Sequence, residues 1–289
     1  MSGHVPPSEP AGPGPARALL ARRRLLGLGV VAGLGVVGTA AGCTGNGPLF
    51  PDLPDRPAQT RPTCVARSSL PRYARLSNLP LVYEVSGRRS EFAIDPGFAG
   101  QLESWLTDLA ELTGWRARQL WTYGTWVDGG QDCSSWHHAG RALDLARLRL
   151  ADDDISCRYD QWRSASGRTL VEARRRYWAV AASVHKHFAH VLTYLYDDQH
   201  HNHIHLDNGR SGSEPSSFTG RSAAQIQAVQ GILIHLWSAP VEITGSWDGT
   251  TRDAVRSVLA DLDLAGDLSD QQTWSDFLTA SVRRGARPA

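Results

Sequence analysis

The chain of 289 residues holds 11 histidines, and six of them fall in two short clusters. The first reads Ser135-Trp136-His137-His138-Ala139-Gly140-Arg141-Ala142-Leu143-Asp144. The second reads His200-His201-Asn202-His203-Ile204-His205-Leu206-Asp207. Neutral imidazole and carboxylate are the common ligands of catalytic zinc, and such a site needs three protein ligands plus an open position for water. Histidine beside such a centre also serves as a general base near neutral pH. The expected chemistry is metal-assisted hydrolysis.

These side chains need particular elements to bring them together. Arg141 to Leu150 reads as a strand with imperfect alternation, and His137 lies on the loop that enters it. Gly140 permits a tight approach. Asp144 then points inward, and its same-face neighbours Ala142 and Ala146 are small enough to leave room for an ion. His203 to Leu206 reads as a second short strand. A period of two puts His203 and His205 on one face and sends Ile204 and Leu206 into the core. One of the two histidines can bind metal while the other faces a substrate. Asp207 either orients a histidine or caps a turn. His138 and His201 are bystanders or outer donors, whereas His185, His187, His190 and His235 read as core or surface residues.

The rest of the pattern is mixed. Asp95-Pro96 opens a helix whose apolar positions Leu102, Leu106, Leu109 and Leu112 run to Gly114. Gln119 to Tyr123 and Val191 to Tyr196 are strand-like. Leu170, Ala173, Tyr177, Ala181, Val184 and Phe188 form a helical stripe. Helices mixed with short strands, without regular βαβ alternation, give an α+β class. We expect a small antiparallel sheet with flanking helices around a zinc site, and beyond it a C-terminal three-helix domain.

The order Ser135-x-His137-x-x-Gly140-x-Ala142-x-Asp144, followed by His203-x-His205, resembles the zinc D-Ala-D-Ala metallopeptidases and their murein endopeptidase relatives, in the lysostaphin–hedgehog superfamily. It is most similar to the extensin-like C-terminal domain, over roughly residues 80–212. The resemblance implies His137, Asp144 and His205 as zinc ligands and His203 as the non-ligand histidine over the attacking water. His200 matches another recurrent histidine of the endopeptidase branch. Two departures stand out. Carboxypeptidase-type relatives place a Glu where this chain has Asn202, so the base role falls to His203. Relatives also carry an Arg shortly after the glycine of the preceding strand, where this chain reads Gly124-Thr125-Trp126-Val127-Asp128. Arg118 or Arg141 are the candidates to replace it.

The resemblance therefore implies an enzyme that hydrolyses peptide bonds in peptidoglycan, as a D,D-carboxypeptidase or an endopeptidase. The alternative is a non-catalytic cell-wall-binding protein that keeps the zinc scaffold. Charge fits a wall enzyme better than a nucleic-acid binder. The net charge is +1 overall and −2 once residues 1–42 are set aside, and nucleic-acid binders show a basic surplus.

The N-terminus reads as an address. Arg22-Arg23-Arg24 precede an uncharged, glycine-containing run from Leu25 to Ala41, which suits a signal peptide better than a permanent span. Ala40-Ala41-Gly42-Cys43 looks like a lipobox, and the paired arginines resemble a twin-arginine signal. We expect residues 1–42 to be a signal peptide and Cys43 to carry lipid. Residues 43–79, with prolines at 48, 51, 54, 57, 62, 71 and 80 along and just after them, would be a stiff tether. The protein would then be exported and held at the outer face of the cytoplasmic membrane, against the cell wall. An oxidising medium favours a disulfide over a thiolate ligand at Cys133, and Cys133–Cys157 is the expected pair. Residues 222–285 carry three helical stretches, near 222–238, 251–263 and 270–283. Their turn Ser246-Trp247-Asp248-Gly249 and a capping box at Ser269–Gln272 are similar to the small peptidoglycan-binding helical domain.

Overall fold

The structure, a computed structural model, describes residues 61–288. The chain divides into two units, Met1–Gly47 and Pro48–Ala289, and every described residue belongs to the second. The signal peptide, Cys43 and the tether up to residue 60 lie outside the described residues. No helix among the described residues is long and apolar enough to cross a membrane.

The class is α+β. A ribbon pairs β1 (Arg72–Tyr73) with β5 (Phe92–Ala93). The main sheet runs in the order β2 (Arg75–Leu76), β3 (Leu79–Tyr83), β6 (Gln119–Thr122), β7 (Ala142–Arg149), β10 (Ile204–Asp207) and β9 (His190–Leu192). Beside it, β4 (Arg88–Arg89) pairs with β3, and β8 (Asp154–Ser156) pairs with β7. The sheet is larger than expected and not wholly antiparallel, because β3 and β6 run parallel. Parallel neighbours need a long crossover, and α1 (Pro96–Thr113) provides it. The sequence signals of that helix hold. Asp95 caps it through Gly97 N and Phe98 N, and Gly114 ends it in the left-handed region at φ 73°.

The imperfect alternation in β7 has a structural cause. Against β6, Trp121 pairs with Arg147 but Thr122 with Leu145, so Ala146 is an extra residue. Such a bulge reverses the side-chain parity beyond it. Leu143 and Leu145 point into the core before it and Leu148 after it, which puts Arg147 on the same side as Asp144.

The core lies between this sheet and the helices. α2 (Tyr159–Trp162) leads into α3 (Gly167–His187), whose Tyr177, Trp178, Ala181 and Val184 are fully buried. α4 (Ala223–Trp237), α5 (Gly249–Asp261) and α6 (Gln271–Ala286) follow. The segment drawn as a C-terminal domain shares this core. Gly231 of α4 lies so close to Trp178 that a Cβ there would come within 2.2 Å of the indole, and Trp274 Nε1 donates to Ser216 Oγ at 2.9 Å. The start of α6 differs by one residue from the expected capping box. Asp270, not Ser269, accepts from Thr273 N.

The disulfide also differs from expectation. It joins Cys64 to Cys133, and Cys157 is a fully buried thiol. Cys157 follows β8 and packs in the core, where burial, more than any other cause, pushes its pKa far up and keeps the thiol protonated. Cys64 belongs to residues that proline spacing assigns to the tether, yet from Cys64 onward the chain packs on the domain. Leu70 and Leu76 are buried there.

Candidate metal centre

Each half of the site has its own local support. His137 sits in a 3-10 turn, Trp136–Ala139. Ser135 caps it by accepting from His137 N, and Gly140 ends it at φ 66°. A side chain on Gly140 would be strained, and its Cβ would meet Leu70 Cδ1 at 2.6 Å. Asp144 follows on β7, with its backbone held by the residues that leave β6. Its N–H donates to Gly124 O at 3.1 Å, and its carbonyl accepts from Tyr123 N at 3.0 Å.

In the antiparallel ladder His205 of β10 stands directly opposite Asp144. Opposed residues of such a pair project side chains to one face about 4.5–5.5 Å apart at Cβ, so register alone brings the two groups together. Ile204 and Leu206 are fully buried on the other face, as the period of two requires.

Three atoms converge. His137 Nε2 lies 3.2 Å from Asp144 Oδ1 and 3.2 Å from His205 Nδ1, and His205 Nδ1 lies 3.0 Å from Asp144 Oδ1. Ligand atoms at zinc bond lengths on a tetrahedron stand about 3.3 Å apart, so the triangle fits that ion. His203 Nε2 lies 3.3 Å from the same carboxylate oxygen. Its Nδ1 donates to Asn202 Oδ1 at 2.6 Å, so Nε2 is the basic nitrogen and faces the cluster. Asn202 thus orients the neighbouring histidine.

The electrostatics call for a positive charge. Burial works to raise the Asp144 pKa, but the imidazoles of His137, His203 and His205 around it outweigh this and hold the carboxyl well below its ordinary value. Burial works to lower that of His205, yet Asp144 and Asp207 raise it to about 9. His205 Nε2 donates to Asp207 Oδ2 at 3.2 Å. Asp207 is fully buried and also accepts from His190 Nδ1, its partner across β9–β10, while its Oδ1 accepts from Gly209 N at 3.0 Å. Asp207 therefore does both things expected of it as alternatives. It orients a histidine and closes a turn. A carboxylate on the far nitrogen fixes the tautomer and aim of a ligating histidine.

Residues 90–216 match the family model of the extensin-like protein C-terminus. No curated protein and no solved structure matches the chain. The extensin-like stretch contains both histidine clusters and every side chain of the triangle.

Around that centre the extensin-like stretch places its other candidates. His200 ends a short turn, with Nδ1 donating to Asp197 Oδ1 at 2.6 Å. Its ring lies 5.2 Å from that of His203. Burial lowers the His200 pKa, against the pull of Asp197. His201 turns away to Asp198 and Tyr159, and His138 supplies its carbonyl to Val65 N. Neither proposed replacement arginine faces the centre. Arg141 is buried on Asn208 and over Trp136, and Arg118 is exposed and precedes β6, at the end away from Tyr123.

Sequence reasoning missed three neighbours. His190, read as a core or surface residue, is on Asp207. The signal was available in a histidine across the ladder from a same-face Asp, but pairing is not visible in one chain. Tyr123 presents its ring edge to His203 at 6.0 Å, and burial raises its pKa, so the phenol stays protonated. Close by, Glu84 is held by Arg147 and Arg158, and Arg158 also grips Asp160 at 2.7 Å.

Proposed function

We propose that the extensin-like domain is a zinc-dependent peptidase that hydrolyses peptide bonds in peptidoglycan. The observation that carries the proposal is the convergence of His137 Nε2, Asp144 Oδ1 and His205 Nδ1 within 3.2 Å, with a third, differently oriented histidine, His203, alongside. His137, Asp144 and His205 would hold the ion, a ligand set that supports the likeness to the zinc D-Ala-D-Ala metallopeptidases drawn from the sequence. When bound, zinc supplies Lewis acidity toward the scissile carbonyl and makes water a competent nucleophile near pH 7.

The chain's own residues do the proton work. His203, with Nδ1–H committed to Asn202, accepts the proton of the attacking water at Nε2. It then returns that proton to the nitrogen of the leaving amine as the C–N bond breaks. His200, oriented by Asp197, stands behind His203 and is the next candidate base. Tyr123 and the Arg158 network form the adjacent wall where a peptide would lie.

The surroundings fit a wall-facing protein. Export through residues 1–42, lipid on Cys43 and wall contact by the helices of 222–285 complete the reading, with the protein at the outer face of the cytoplasmic membrane. The test is digestion of purified sacculi by the purified chain, with mass spectrometry of the soluble fragments. Release of fragments cut within stem peptides or cross-bridges, abolished by a chelator, is the expected result. Zinc bound at one per chain with no fragment released would favour the non-catalytic wall-binding protein.

A further inference from the structure

The His137 turn is held from outside by a strap, residues 64–70, which sequence reading placed in the tether. Both backbone groups of Val65 are used by the loop that leads to His137. Its N–H donates to His138 O at 2.9 Å, and its carbonyl accepts from Trp126 Nε1 at 2.9 Å. Its side chain packs on a small cluster of Trp136, Ala139 and Ala142, separate from the main core. Arg67 lies over the Trp126 ring at 5.9 Å, and Leu70 fills the space beside Gly140.

The strap has one covalent attachment, the disulfide Cys64–Cys133. Cys133 lies in residues 128–134, which form no helix or strand and are tied mainly by short local bonds, whereas residues 123–127 before them are also bonded to Asp144, Ala93 and His137. Both half-cystines are only half-buried, within reach of a small reductant. By contrast, Asp144 and His205 are on paired strands of the sheet and do not depend on the strap.

We propose that the Cys64–Cys133 disulfide is a latch that controls metal binding at His137, Asp144 and His205. The proposal rests on the reading of those three residues as ligands. Closed, the latch presses the strap against the His137 turn and keeps Nε2 beside the other two ligands. Opened, it frees the strap and the loop together, and the ion loses one of three ligands while the other two stay in place. Reduction by a phosphine breaks the S–S bond and gives two cysteine thiols. The phosphine is oxidised to its oxide, with water supplying the oxygen and the two protons. The site is thus built to hold its ion in an oxidising medium and to hold it poorly in a reducing one.

The test uses the full chain. Zinc affinity is measured by competition with a chromophoric chelator for the oxidised protein, for protein reduced with tris(carboxyethyl)phosphine, and for the Cys64→Ser and Cys133→Ser variants. Helix content is followed in parallel by circular dichroism. We expect zinc affinity to fall at least 10-fold in all three altered forms, with the helical signal kept, and to return when the reduced chain is reoxidised. Equal affinity in oxidised and reduced protein overturns the latch. So does loss of the helical signal on reduction, which would make the disulfide a general staple. If His205→Ala binds zinc as tightly as the unaltered oxidised chain, the ligand reading itself fails, and the latch with it.

Discussion

Two of the buried imidazoles, His205 and His185, are treated in opposite ways. At the candidate metal centre nearly every ring nitrogen has a partner. His205 bridges Asp144 and Asp207, His203 is held by Asn202, and His200 by Asp197. In the last turn of α3, His185 is fully buried, and neither of its ring nitrogens has a partner among the described residues. Burial drives its pKa down to about 3, whereas that of His205 rises to about 9. Both rings are out of water, so depth alone does not set the charge. What differs is the carboxylate. The centre concentrates two acids, the half-buried Asp144 and the buried Asp207, and so favours a cation. Among the described residues no acid contacts His185, and the site favours a neutral ring that packs edge-on to Trp274.

The sharpest break in this contrast is His205→Ala. It removes the ring shared by both acids, and zinc measured by elemental analysis should drop from near one per chain to near zero, with peptide hydrolysis lost. Unchanged zinc would mean that the triangle does not bind the ion.

A smaller effect is expected at His203, which is near the triangle but outside it. General-base assistance is worth roughly 10²–10⁴ in rate. His203→Ala should lower turnover on wall fragments by a factor in that range, with zinc content kept. Loss of zinc together with activity would recast His203 as a ligand. Full activity would move the base to His200.

The least effect belongs to the ring without partners. A histidine whose pKa is lower in the folded chain than near 6.5 in the unfolded one takes up its proton on unfolding. Its share of stability is therefore complete above pH 6.5 and is lost as pH falls toward 3. At pH 5 the loss from His185 is about 2 kcal/mol. His185→Leu should leave the extensin-like site intact and remove that part of the acid sensitivity in urea unfolding at pH 7.5 and 5. Parallel loss in both proteins would show that the ring is not neutral in the folded state.

Local signals in the sequence carried a good deal of this. Asp95 and Gly114 bracket α1 because capping chemistry is written in adjacent residues, and the face shared by His203 and His205 follows from strand geometry. What was not legible depends on pairing between distant segments. The parallel β3–β6 contact, the place of His190 on Asp207 and the choice of Cys64 over Cys157 all require knowing which stretches lie side by side. The prolines before residue 80 suggested a tether because they exclude long elements. They do not exclude two-residue strands and a strap, which is what residues 64–76 form. The imperfect alternation of β7 was visible, but its cause at Ala146 was not.

The opposition of Asp144 and His205 across the ladder has a consequence for how molecules of this protein can go wrong. A slide of one residue between those strands turns every side chain to the opposite face. Ile204 and Leu206 would then meet solvent, and both acidic and basic groups of the centre would enter the core. The same choice of alignment that seals the interior also assembles the triangle, across a sequence separation of 61 residues. A mispaired molecule is thus unable to bind the ion and unable to hide its apolar strand. Ion binding would discriminate between correct and slipped chains, and among newly folded molecules would act as a proofreader of the alignment.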